Sequence, residues 1–157
     1  MGVMSENIDQ TDRRLLAALQ RDASLSLEAL ADILSVSTNT CWRRVKRLED
    51  AGVILRRVSI IDPAAIGFNQ TVFIGVKTSE HSQEWLQEFA AVVQRIPEVV
   101  EFYRMAGDVD YLLKVLCRDV GDYDRVYKML IKETKFADIS ATFAMECIKN
   151  TTELPLL

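Results

Sequence analysis

The chain has 157 residues and a formal net charge of -4, with 49% hydrophobic and 27% charged residues. That composition excludes a collagen-like repeat or a disordered polyelectrolyte and fits a soluble globular protein of one ordinary domain or two small ones. Three widely spaced cysteines, Cys41, Cys117 and Cys147, with no CxxC pair, argue against a disulfide framework or a zinc site and for a reducing, cytoplasmic setting.

From the N-terminus, MGVMSENIDQTDRR has no apolar core of the kind a signal peptide carries. No apolar run approaches the ~20 residues of a membrane helix, so no membrane partner is expected. Asp9 can cap a first helix running through Arg21, with Asp12 three residues on in a capping-box position. Leu15, Leu16 and Leu19 form its apolar stripe. Ser26 is the N-cap of a second helix, in which Leu27, Leu30, Ile33 and Leu34 recur at helical spacing; it should end by Ser35. After Ser35-Val36-Ser37 a third helix starts, with Ser37 or Thr38 as cap, and runs to about Ala51, where Gly52 is a natural C′ residue.

Two short helices joined by a three-residue turn, behind a supporting helix, make a helix-turn-helix. Cys41, Val45 and Leu48 share one face of the third helix and should be core; Trp42 flanks them and reads as packing, with base stacking as the alternative. The opposite face carries Asn39, Thr40, Arg43 and Arg47, with Arg44 and Lys46 on its shoulders. The segment Arg43–Arg57 holds six basic residues and two acidic ones, a local cationic face on an acidic chain. A solvated helix surface is the plain reading; contact with double-stranded DNA is the one favoured by the polar-then-basic order. Ser37, Thr38, Asn39 and Thr40 lie near the helix start, where short polar side chains reach base edges, and Arg43 can fork onto guanine. Arg44, Lys46 and Arg47 are expected on phosphates.

Asp62-Pro63 and Gly67 mark a linker. We expect a DNA-binding domain with a connecting strand over 1–62, the linker over 63–68 and a second domain over 69–157. In the latter, Gln70–Lys77 alternates with strand period, and SQEWLQEFAAVVQRI places Trp85, Phe89, Val92, Val93 and Ile96 on one helical stripe that Pro97 ends. EVVEFYRM and DYLLKVLC are two strands around the turn Ala106–Val109. GDYDRVYKMLIKE is a helix with Tyr123, Val126, Tyr127, Leu130 and Ile131 inward, and DISATFAMECIK closes with a strand. The order β-α-β-β-α-β is ferredoxin-like, so the fold class is α+β. Both helices cover one sheet face. Leu112 and Leu116 would leave the other face apolar and bare, which predicts packing against a second copy.

LLAALQRDASLSLEALADILSVSTNTCWRRVKRLEDAGVI, IDPAAIG, MAGDVDYLLKV and NTTELPL, in that order, resemble the Lrp/AsnC (feast/famine) transcription regulators over nearly the whole chain. TNTCWRRVKRLEDAG and FAMECIKNTT look further like the proteobacterial branch that responds to cysteine and controls its degradation. The resemblance implies a winged helix-turn-helix, a ligand-sensing ferredoxin-like domain, homodimers that assemble into octamers, and a small amino-acid effector. It places that effector at Met105, Ala106, Gly107, Asp108 and Asp110. There Asp108 or Asp110 can accept from an ammonium, and backbone N–H groups around Gly107 can meet a carboxylate; Ser140 and Thr142 of the facing protomer could add hydroxyls. A plain hairpin turn explains Gly-Asp equally well. In two places the chain departs from the family pattern. Ser35 stands where the turn often has Gly, and Arg56-Arg57 stand where Gly-Tyr often follows GVI. The lone His81, the absence of a phosphate-binding glycine loop and the lack of metal-spaced clusters or resident cofactor motifs argue against an enzyme. The rival readings are a DNA-compacting protein with little sequence preference and a module whose helical unit docks protein.

Overall fold

The computed structural model describes residues 7–156; residues 1–6 and Leu157, the outer ends of the expected domains, lie outside them. Two compact units emerge, and each is described by itself. One comprises the described residues up to Ile60 together with those from Lys149 on; the other is Ile61–Ile148.

The helical unit holds α1 (Gln10–Arg21), α2 (Leu27–Leu34) and α3 (Thr38–Asp50). Each begins where a short polar side chain can accept from the free N–H groups of the first turn. Asp9 and Asp12 complete a reciprocal capping box, Ser26 caps α2 and Ser37 caps α3. Leu15, Leu16, Leu30, Ala31, Leu34, Cys41, Val45 and Leu48 form the core. Ile33, expected inward, is exposed, because the α2 stripe closes through Ala31 instead. Gly52, at φ 70°, ends α3 in the left-handed conformation, and Val53 N–H donates to the Leu48 carbonyl at 2.9 Å.

Ser35 is also left-handed, at φ 57° and ψ 45°, the only such non-glycine among the described residues. A side chain there costs about 1–2 kcal/mol, part of which glycine would return as unfolded-state entropy. Ser35→Gly is therefore expected to raise unfolding stability by about 0.5–1 kcal/mol, read as a shift in denaturant midpoint at constant slope.

The last residues join this unit. Leu154 N–H donates to Gln20 Oε1 at 2.7 Å, Gln20 Nε2 donates to the Leu154 carbonyl at 3.2 Å, and Leu156 packs on the helical core. The amide side chain thus pairs with an extended backbone as a neighbouring strand would. Between α3 and the second unit, the described residues form no connecting strand within the single chain. The segment from Leu55 to Ile61 has no strand partner among the described residues, and Leu55 (87%), Val58, Ile60 and Ile61 are exposed.

The second unit opens with a short 3-10 turn, Ala64–Ile66, closed by Gly67 at φ 93°. It continues as β1 (Gln70–Lys77), α4 (Gln83–Gln94), β2 (Val99–Arg104), β3 (Tyr111–Cys117), α5 (Val120–Glu133) and β4 (Asp138–Phe143). The sheet is antiparallel throughout, in the order β2-β3-β1-β4, and the fold is ferredoxin-like. Val72, Ile74, Val76, Leu113 and Val115 meet Trp85, Phe89, Val92, Val93, Val126 and Leu130 from the two helices. Ile131, expected inward, is 42% exposed; Val126 and Leu130 already complete that turn's inner face. No helix among the described residues is long and apolar enough to cross a membrane.

The opposite sheet face is not uniformly apolar. Phe73, Leu112 and Leu116 share it with Lys114, whose Nζ donates to Glu101 Oε1 at 2.9 Å, and with Tyr103, whose hydroxyl donates to Glu101 Oε2 at 2.8 Å. These two bonds, Lys114's first, hold the Glu101 carboxyl below its usual pKa.

Candidate functional site

Around α3, Cys41, Val45 and Leu48 are buried, and Thr40, Arg44 and Arg47 are half-buried. Thr38, Asn39, Trp42, Arg43, Lys46, Glu49 and Asp50 face outward. The open face is thus rotated by about a quarter turn from the one expected by placing it opposite the core stripe. The cause is α1, whose N-terminal turn covers one shoulder of α3.

That shoulder is an ion-pair cluster built on Asp12, which is 0% exposed. Arg44 Nη1 lies 2.8 Å from both Asp9 Oδ2 and Asp12 Oδ1, and Arg47 Nη2 lies 2.6 Å from Asp12 Oδ2. The capping box completes the set: Asp9 N–H donates to Asp12 Oδ2 at 3.1 Å, and Asp12 N–H to Asp9 Oδ1 at 2.8 Å. The Asp12 N–H first, then the Arg44 guanidinium, hold the Asp9 carboxyl below its ordinary pKa, and Asp9 and then Asp12 raise that of Arg44. Arg44 and Arg47, expected from the sequence on phosphates, each have a guanidinium nitrogen on these carboxylates in the folded chain and stay partly exposed. Asp12 was legible as a capping partner, but its burial was not.

The remaining cations differ. Lys46 pairs with Asp50 at 2.7 Å, an exposed i,i+4 contact, and Asp50 raises its pKa. Arg57 pairs with Glu49 at 3.1 Å. Arg43 is exposed and has no ion pair among the described residues. The Ser37 hydroxyl accepts from Thr40 N–H at 3.2 Å and hydrogen-bonds the Thr40 hydroxyl at 2.9 Å, so both hydroxyls are engaged in the helix cap. Thr38 and Asn39 lie open beside them. An open concave surface of about 950 Å³ runs along Thr40, Trp42, Arg43, Lys46 and Arg47. Trp42, read from the sequence as packing, is 50% exposed on it. An exposed helix with a partner-free arginine, at the second position of a helix-turn-helix, is dimensioned to enter a major groove. If Arg43 forks onto a base edge, Arg43→Ala costs about 1–3 kcal/mol on a preferred duplex and relaxes preference at that base pair. An equal loss on random duplex would make Arg43 a phosphate contact.

The loop between β2 and β3 holds Met105, Ala106, Gly107, Asp108 and Asp110. Gly107 takes φ 154°, and Met105 and Asp108 are exposed. Asp110 is half-buried and tied to the end of β1: its Oδ2 accepts from Thr78 N–H at 2.8 Å, and its own N–H donates to the Val76 carbonyl at 2.9 Å. Part of its carboxylate therefore serves the hairpin. Ser140 and Thr142 lie on the bare sheet face, opposite Gly75 and Phe73 of β1. A Cβ added at Gly75 would stand 3.1 Å from Val109 Cγ1 and 3.2 Å from Ser140 Oγ. Glycine at that position thus brings the loop and Ser140 of the same protomer together. Thr142 lies two residues farther along the same strand, opposite Phe73.

Two family profiles match the chain: "Winged helix-turn-helix DNA-binding" over residues 8–54 and "Lrp/AsnC ligand binding domain" over 71–154. The chain is 47% identical to the DNA-binding transcriptional activator DecR of Escherichia coli, across 95% of this chain and 99% of that one. It is 46% identical to the glutamate uptake regulatory protein of Zymomonas mobilis, across 98% and 93%. Among solved structures, an AsnC family transcriptional regulator from Agrobacterium tumefaciens superposes with a TM-score of 0.90 at 50% identity, covering 94% of this chain and 97% of that one. A transcriptional regulator from Neisseria meningitidis in complex with L-Met superposes with a TM-score of 0.88 at 31% identity, covering 94% and 96%.

Proposed function

The chain belongs to the Lrp/AsnC family of DNA-binding transcription regulators, and from that premise we propose that it works as a homodimer whose two α3 helices enter major grooves about 10 base pairs, or a multiple of that, apart. A small amino acid bound at the C-terminal unit shifts operator occupancy. The observation that carries the DNA reading is the open face of α3 with Arg43 free of carboxylates among the described residues. Thr38 and Asn39 lie beside it for base edges, and Lys46 has only an exposed, weakly held partner that phosphates can displace. Arg44 and Arg47 set the pose of the helix. The test is a salt titration of duplex binding: affinity should fall steeply as salt rises, by a factor of about ten or more between 50 and 200 mM. Duplex binding insensitive to salt would overturn the reading.

Two unpartnered features support the homodimer: the patch of exposed Phe73 with half-buried Leu112 and Leu116, and the exposed apolar side chains of Leu55, Val58, Ile60 and Ile61 on a segment with no strand partner among the described residues. Assembly of dimers to octamers extends the same proposal. A stable monomer at micromolar concentration would count against it.

The effector reading rests on the Met105–Asp110 loop, with the protein from Neisseria meningitidis, solved with L-Met, as precedent. Asp108 and the outer oxygen of Asp110 are offered to an ammonium, and N–H groups around Gly107 to a carboxylate. Ser140 stands at the loop of its own protomer, and Thr142 is its neighbour on the same face. Control of amino-acid metabolism, with cysteine as one candidate effector, follows as the biological role. A thermal-shift screen of the twenty amino acids should find one that stabilises the protein, by about 2.7 kcal/mol at a hundredfold excess over Kd. Asp110→Asn keeps an acceptor for Thr78 N–H and removes the charge. It is expected to weaken that response about tenfold or more while effector-free DNA affinity stays unchanged. An unaltered titration would remove Asp110 from the site.

A further inference from the structure

Trp42 projects from the middle of the open face of α3. It is 50% exposed, with Asn39 one turn before it, Lys46 one turn after it and Arg43 beside it. Keeping a tryptophan half in water forgoes much of what burial of that ring contributes, and the helical core is complete without it. The carboxylates on this face are engaged, Asp50 by Lys46 and Glu49 by Arg57, which leaves Arg43 to bias the surroundings of the indole toward a polyanion.

We propose that Trp42 is a specificity-determining residue that reads thymine in the major groove by apolar contact with its C5-methyl group. The inference rests on the DNA reading above and deepens it. In an intact duplex the bases are stacked, so an aromatic ring on a groove-bound helix meets edges rather than faces. The thymine methyl is the one apolar group those edges display there. Stacking on a base would require unpaired or single-stranded DNA, which a helix seated in the groove does not produce. Arg43 and Lys46 flank the indole, so guanine or phosphate contacts on either side would hold the ring against the groove floor.

The test uses the full chain and a duplex it selects from a randomised pool. Each thymine is replaced in turn by uracil, which removes only the methyl group. The unaltered protein should lose about fourfold in affinity for each methyl that the indole covers. Trp42→Ala should bind the original duplex more weakly, be indifferent to uracil at those same positions, and lose clearly less on random-sequence duplex than on the original one. Trp42→Phe should keep the uracil sensitivity. The proposal is overturned if no uracil substitution weakens the unaltered protein, or if Trp42→Ala loses equally on selected and random DNA. If the unaltered protein shows no salt-dependent DNA binding at all, the functional reading beneath it fails first.

Discussion

Asp12→Ala is expected to destabilise the helical unit by about 2–3 kcal/mol and to degrade sequence-specific DNA binding together with it. Removing one member of a buried ion pair costs about 3–5 kcal/mol when the survivor stays buried. Here Arg44 is 26% exposed and Arg47 38%, so both can partly hydrate, and the value is reduced accordingly. The carboxylate also accepts Asp9 N–H in the capping box, so its loss loosens the start of α1 as well as the seat of α3. The released guanidiniums should then find phosphates. Binding to random duplex should acquire a steeper salt dependence, by up to about 0.9 in log–log slope for each arginine, even as preference for the selected duplex falls. Denaturant unfolding gives the first value, and salt titrations on the two duplexes give the second. Unchanged stability would mean that Asp12 does not hold the helix.

Phe89→Ala should cost about 3–5 kcal/mol in the sheet unit. Phe89 is fully buried, and its ring centroid lies 5.1–5.8 Å from those of Trp85, Phe102, Phe136 and Tyr111, which join α4 to β2, β3 and the approach to β4. An alanine leaves a cavity that this ring of aromatics cannot close without moving off its rotamers. Single domains are stable by only about 5–15 kcal/mol, so the variant should be marginal at physiological temperature. Phe89→Leu, which keeps most of the volume, should lose clearly less. Urea unfolding followed by the fluorescence of buried Trp85 measures the difference. Equal midpoints for the two variants would contradict the packing described.

Sequence alone settles those features that depend on residues a few positions apart. Helix starts are local, because a side-chain oxygen at Asp9, Ser26 or Ser37 meets an N–H only three residues on. Strand β1 could be read to the residue, since its period-2 alternation separates Val72, Ile74 and Val76 from Phe73 and Gly75. The order of those elements then left few topologies, and the ferredoxin-like sheet is one of them.

What the sequence left open depends on which surface of each element a neighbour covers. Helical periodicity locates the core stripe of α3 at Cys41, Val45 and Leu48, but the same pattern serves whether its Arg44 side or its Trp42 side lies against α1. Only the packed structure places Arg44 and Arg47 on Asp12 and leaves Trp42 and Arg43 outside. The C-terminal segment has no periodicity to read, so its attachment to Gln20 emerges only once the chain has folded back. Caps and alternation are settled within about one turn of backbone; the seat of a charged side chain is settled by a residue more than thirty positions away, and that distance in sequence is bridged by tertiary packing alone.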